Sequence, residues 1–133
     1  MLVTEISKIF FLQTAIDQAF DLLSNAEIIT KWSGQDAKIQ LIPSGTVELF
    51  DQWMHGSILE VIRPIRLSYT WKVLDWNESA EPSTVKFTLT RQKGRTKVLV
   101  EHSGFPNEAE ARAHEEGWKT NFFDLINNYL NQK

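Results

Sequence analysis

"VLVEHSGFPNEAEARAHEEGWKTNFFDLINNYL", residues 98–130, contains the change of period that decides the fold. Up to His102 the apolar positions recur by twos, with Thr96, Val98, Val100 and His102 sharing one face. "HSGFP", residues 102–106, breaks that strand. Thereafter Ala111, His114, Trp118, Phe122, Leu125, Ile126 and Tyr129 recur by threes and fours, the stripe of a long amphipathic helix. Asn107 is its expected N-cap, and Glu108 and Glu110 suit its first turn. His102 is therefore expected on the covered face, beneath the helix. Gly117 costs about 1 kcal/mol against alanine inside a helix. A close backbone approach, a kink, or space left for something else would explain it.

Upstream, the same period of two continues. "RLSYTWKVL", from Arg66, places Leu67, Tyr69, Trp71 and Val73 on one face. Val85, Phe87 and Leu89 alternate with polar residues after the loop at residues 75–83, and Lys93-Gly94 turns the chain back. A strand is expected from Gly56 to Arg63, where Pro64 stops it. Ala37, Ile39 and Leu41 alternate before the turn at Pro43–Gly45, and Val47 and Leu49 continue after it. At the start, Thr4 to Gln13 reads as a first strand. Two short helices then follow, one expected to be capped by Thr14 with Asp17 as a capping-box acid, the other by Asn25. Clean alternation implies sheets with one buried face, and only the last helix is large enough to cover it. We therefore expect a single α+β domain over residues 1–133. In it a curved antiparallel sheet wraps a long C-terminal helix, with two short helices after the first strand.

Composition narrows the chemistry. The absence of cysteine removes disulfides, thiolate metal sites and cysteine nucleophiles. The three histidines, His55, His102 and His114, carry no metal-ligand spacing, so no metal is expected. No phosphate-binding glycine loop or nucleophile motif is present, and no cofactor is expected. A net charge of -3 argues against nucleic acid as the main partner. Nothing approaches the run of ~20 apolar residues that a membrane span needs, and the N-terminus does not read as a signal peptide. A cytoplasmic location is the default expectation.

At residues 102–130 the chain resembles the C-terminal signature of the activator-of-heat-shock-protein-90-ATPase homologue family, within the START and birch-pollen-allergen superfamily. "AFDLLSNAEIITKW" (residues 19–32), "HGSILEVIRPIRLSYTW" (55–71) and "STVKFTLTRQKGRTKVLVEHSGF" (83–105) are similar to its other segments, in order. "PSGTVELF" departs from the family's frequent paired glycines, and Ser33 stands where an aromatic commonly follows the tryptophan. The resemblance implies the helix-grip fold around an internal cavity. Members of the superfamily bind lipids, hormones and polyketide-like molecules, and a few are cyclases or hydrolases. The co-chaperone that names the family uses a separate N-terminal domain for its partner, so the resemblance alone does not carry that activity over.

Fifteen aromatic residues, five of them tryptophan, admit two readings: plain core, or the lining of a pocket for a flat apolar ligand. The resemblance favours the pocket. Its candidate residues are Trp32, Trp53, Tyr69, Trp71, Phe87, Trp118 and Phe122, with His55 and His102 as polar contacts. His102 reads either as a general base or as a core histidine bonded to its surroundings. The expected function is binding of an apolar or aromatic small molecule. A chaperone-interacting module is the alternative, and an enzyme using His102 a third. A monomer and a homodimer are both compatible with the sequence.

Overall fold

The computed structural model describes residues 4–132. Its elements are β1 (Glu5–Leu12), α1 (Ile16–Ser24), α2 (Ala26–Ser33), β2 (Lys38–Ile39), β3 (Thr46–Leu49), β4 (Met54–Ile62), β5 (Arg66–Val73), β6 (Ser83–Gln92), β7 (Arg95–Ser103), α3 (Glu108–Trp118) and α4 (Asp124–Asn131). The strands form one antiparallel sheet in the order β1-β7-β6-β5-β4-β3-β2. The first strand thus pairs with the last, which brings Ile6 opposite His102 and Leu12 opposite Thr96. An extra residue between Ile58 and Glu60 breaks the β4–β5 register, a bulge that bends a strand and strengthens its twist.

The expected parity holds across the sheet. Leu67, Tyr69, Trp71 and Val73 of β5, Val85, Phe87 and Leu89 of β6, and Thr96, Val98, Val100 and His102 of β7 are all buried. The C-terminal helical segment lies over them through Ala111, His114, Trp118, Phe122, Phe123 and Ile126. The fold is α+β with the helix-grip arrangement that the sequence implies. Asn107 caps α3 by accepting from the Glu110 backbone N–H at 2.9 Å, and Asn25 caps α2 through Ile28 at 3.1 Å.

Four local expectations are corrected. Thr14 does not cap α1: Ala15 holds that position without a side-chain bond, and the Thr14 hydroxyl instead donates to the Gln18 side chain. The Thr14 carbonyl meanwhile accepts from the Thr96 hydroxyl of β7 at 2.9 Å, tying the helix entry to the sheet. The strand expected from Ala37 to Leu41 shrinks to two residues, because Gln40 and Ile42 accept the turn's own backbone bonds. β4 starts at Met54, two residues early. Finally, the last helix is interrupted not at Gly117 but just after Trp118, by a π-helical turn at Lys119–Phe123.

That turn has a packing consequence. In an unbroken α-helix neighbouring residues point about 100° apart, so Phe122 and Phe123 would not both face the sheet fully. The wider turn lets both bury, with Phe123 stacked on Phe10 of β1 at 4.2 Å and 5° between planes. Phe123→Ala is therefore expected to lower stability by about 3–5 kcal/mol. The exposed neighbour control Asn128→Ala should stay within about 0.5 kcal/mol, both read from urea denaturation midpoints.

Candidate functional site

One chain of hydrogen bonds joins α3 to the sheet. Trp118 Nε1–H donates to His102 Nδ1 at 3.1 Å. Ser83 Oγ lies 2.8 Å from His102 Nε2 and donates its own hydrogen to the Trp71 carbonyl at 2.7 Å. With that hydrogen committed, Ser83 accepts, and His102 carries its proton on Nε2. A second set runs beside it. Trp71 Nε1–H donates to His114 Nε2 at 3.1 Å, so His114 carries its proton on Nδ1 and donates to the Glu110 carbonyl at 2.9 Å. The two imidazoles lie 5.6 Å apart, edge to face.

Both histidines are held neutral. Burial, and then the nearby His114, push His102 down to about 2. His114 is lowered by burial too, against a smaller opposing pull from the Glu110 backbone and carboxylate. Geometry acts in the same direction: a second proton on either ring would point at an indole N–H that is already donating. Ser83 and His102 are at hydrogen-bond distance, yet both are buried and their hydrogens are directed into protein acceptors. This pair is a structural tie rather than an exposed nucleophile and base.

Beside the network, between α3 and the start of β4, opens a cavity of about 290 Å³. Trp71, Trp118 and Phe122 form its deep wall, and Phe50 and Trp53 its outer wall. Ala113, Gly117 and Asn121 supply the helix side, and Asp75, Glu110 and His114 the polar groups. Phe50 reaches the wall from an unusual loop. Phe50, Asp51 and Gln52 all have left-handed backbone, with φ of 56°, 56° and 70°. Non-glycine residues disfavour this conformation by roughly 1–2 kcal/mol each. Two bonds between Asp51 and Asp36 clamp the loop: Asp51 N–H to the Asp36 carbonyl at 3.1 Å and Asp36 N–H to Asp51 Oδ1 at 2.7 Å.

A model of the family described as Activator of Hsp90 ATPase homolog 1-like protein matches residues 13–131, from the end of β1 to the last turn of α4. The chain belongs to this family. A Mus musculus relative, Activator of 90 kDa heat shock protein ATPase homolog 2, is 22% identical over 93 residues, 70% of this chain and 28% of its own length. The match thus spans little more than a quarter of that relative. Among solved structures, an HSP90 activator from Plasmodium falciparum is similar with TM-score 0.87 and 24% identity, covering 97% of each chain. The Aha1 dimer from Colwellia psychrerythraea is similar with TM-score 0.76 and 16% identity, over 93% of this chain and 94% of that one. At such identities the two structures speak for the fold alone.

For this Hsp90-activator-like chain, the structure sorts the candidate residues into two groups. Trp53, Trp71, Trp118 and Phe122 come together on the cavity wall. Trp32 packs edge-on against Phe122 and donates its N–H to the Leu22 carbonyl at 2.9 Å, behind the wall. Tyr69 and Phe87 are wholly buried deeper in the core. The Tyr69 hydroxyl has no partner among the described residues, and burial pushes its pKa up. His102 is also behind the wall, with both nitrogens engaged. His55 is on the outer face of β4, exposed, 3.8 Å from Glu48, because it sits one residue out of phase with buried Met54. Strand parity could have placed both His55 and Ser83. Phe50 and Asp75 carried no sequence signal, since loop residues follow no period, whereas Glu110, four residues before His114 on the same helix, could have been placed by helical spacing. No group of three or more metal-binding side chains occurs among the described residues. Nor is any helix there long and apolar enough to cross a membrane.

Two expectations follow. A β-carbon at Gly117 would find only Asn121 Nδ2, at 3.7 Å, so no backbone presses on this glycine. Gly117→Ala should then stabilise by about 0.5–1 kcal/mol, read from thermal or urea melts. The second concerns pH. His102 titrates near 6.5 unfolded and about 2 folded, so below 6.5 the unfolded chain binds more protons. Stability is expected to be constant in this respect above pH 6.5 and to fall as the pH drops below it. The slope approaches about 1.4 kcal/mol per pH unit from His102 alone. Urea midpoints taken from about pH 8 down to about pH 4.5 measure it, and a flat profile would contradict the neutral pair.

Proposed function

We propose that this protein binds a small apolar or aromatic molecule in the cavity between α3 and the β4–β5 side of the sheet. The observation that carries the reading is the cavity wall itself. Five aromatic side chains converge on an open volume near the lower end of the roughly 300–1,000 Å³ usual for ligand sites. Three further features support it. The glycine at 117 lines the cavity, and a β-carbon there would meet only the Asn121 side chain and no backbone from another element. The π-helical turn begins two residues later, on the helix that covers the cavity. The left-handed loop that presents Phe50 stores local strain of the kind that collects at functional sites. His102 contributes by holding Trp118 and, through Ser83, Trp71 in place, not by contacting the ligand. An acid–base role for it finds no support, because neither nitrogen is available.

A second reading rests on the family. The mouse relative is named as an activator of a 90 kDa heat shock protein ATPase, and the Plasmodium protein as an HSP90 activator. Under that reading the chain docks on a chaperone through its outer surface, and the cavity is incidental.

One set of measurements separates the two. Small aromatic compounds should raise the melting temperature and shift tryptophan emission, since Trp53, Trp71 and Trp118 line the cavity. The stabilisation follows RT ln(1 + [L]/Kd), about 2.7 kcal/mol at a hundredfold excess over Kd. Trp53→Leu should weaken binding and leave any stimulation of chaperone ATPase unchanged. Stimulation of the ATPase by wild type, with no thermal shift across a broad aromatic panel, would favour the second reading instead.

A further inference from the structure

The charge around the cavity is one-sided. Its ionisable side chains are Asp75, Glu110 and His114, and no lysine or arginine lines it. His114 is held neutral, because its Nε2 accepts from Trp71 and burial lowers its pKa. The two carboxylates are held in place by indoles: Trp53 Nε1–H donates to Asp75 Oδ2 at 3.0 Å, and Trp76 Nε1–H donates to Glu110 Oε1 at 2.6 Å. Each bond uses one oxygen, and the second oxygen of each group has no partner among the described residues. Below this rim stand the rings of Phe50, Trp53, Trp71, Trp118 and Phe122. An aromatic face carries the negative end of the ring quadrupole, so each ring face that a ligand meets here has the same electrostatic sign as the rim.

We propose, on top of the ligand-binding reading above, that the molecule bound in this cavity is an organic cation: a small ammonium compound with an apolar or aromatic body. The body lies against the aromatic wall, and the positive head sits between the ring faces and the Asp75 and Glu110 carboxylates. A cation gains from both carboxylates and from each ring whose face it meets. A neutral ligand of the same shape gains only the apolar contact. A carboxylate-bearing ligand such as a fatty acid meets two like charges at the mouth, with no basic side chain to offset them. Aromatic cages with an acidic edge are a general solution for ammonium recognition because the rings attract the charge without demanding a hydrogen bond from it.

The test uses three ligands with one benzyl body, titrated into the full chain and followed by tryptophan fluorescence: benzyltrimethylammonium, its uncharged isostere neopentylbenzene, and phenylacetate. The cation is expected to bind at least about tenfold more tightly than the isostere, with phenylacetate weakest. Its Kd should rise between about 10 mM and about 500 mM salt, while that of the isostere stays level. The double variant Asp75→Asn, Glu110→Gln keeps oxygens that accept the two indole bonds but removes both charges. It should lose most of the cation's advantage and bind the isostere as wild type does. If the variant is shown by near-ultraviolet dichroism to be misfolded, the wild-type comparison and its salt dependence decide alone. An isostere that binds as tightly as the cation, or tighter, overturns the charge assignment and leaves the cavity reading standing. No binding by any of the three overturns both.

Discussion

The contact between Trp118 and His102 organises this molecule. A histidine in a fully buried position is tolerable only if both nitrogens are satisfied, because an orphaned polar group there costs about 1–3 kcal/mol. Trp118 from the helix meets one nitrogen and Ser83 from β6 meets the other. Through Ser83 the chain of donors reaches the Trp71 carbonyl, and the Trp71 indole reaches His114 back on the helix. Helix and sheet are thus tied at two points by bonds whose direction admits one tautomer of each imidazole. Apolar packing would hold the helix over the sheet in any of several neighbouring positions; these bonds select one.

The cavity exists because that position is fixed. With Trp71 and Trp118 oriented by their indole bonds, their rings form a wall instead of collapsing onto one another. On the opposite side the left-handed turn at residues 50–52 presents Phe50 and starts β4 at Met54. The strain of the turn is offset by the paired bonds between Asp51 and Asp36. Gly117 leaves its side of the helix bare, and the π-helical turn below it lets Phe122 and Phe123 both pack inward. Each device is modest alone. Together they keep a volume open that dispersion forces would otherwise close.

Membership of the Hsp90-activator-like family explains the architecture without dictating the chemistry. The helix-grip scaffold needs the sheet, the covering helix and a satisfied interior, and Val98, Val100, Ala111, Ile126 and the engaged His102 serve these needs from outside the cavity lining. The rim is set apart from these scaffold features. Two carboxylates held by tryptophan N–H groups, without a basic side chain among the lining residues, give the mouth a negative sign that the fold does not require. The same scaffold with a lysine at such a rim would favour the opposite class of ligand, which is why function is better read from the site than from the fold.

Much of this was legible in the chain alone. Period-two counting placed His102 among Val98 and Val100 on the covered face, and the spacing of Ala111, His114, Trp118, Phe122 and Ile126 marked the covering stripe. Asn25 and Asn107 announced their helices because a cap is a local hydrogen bond between near neighbours. Thr14 failed as a cap since its carbonyl is tied to Thr96, a residue 82 positions away. The π-helical turn was hidden because the contact it allows, the stacking of Phe123 on Phe10, joins opposite ends of the chain. Trp71 and His114 are 43 positions apart, and no spacing rule could have shown their bond or the tautomers it imposes. Likewise, which aromatics line the cavity and which stand behind it depended on the height of the helix over the sheet. Periodicity and capping are properties of a few consecutive residues, so the sequence by itself determined the elements and their faces. Contacts between distant segments are set by how those elements pack, and the tertiary structure alone decided the cavity, its charged rim and the engagement of His102.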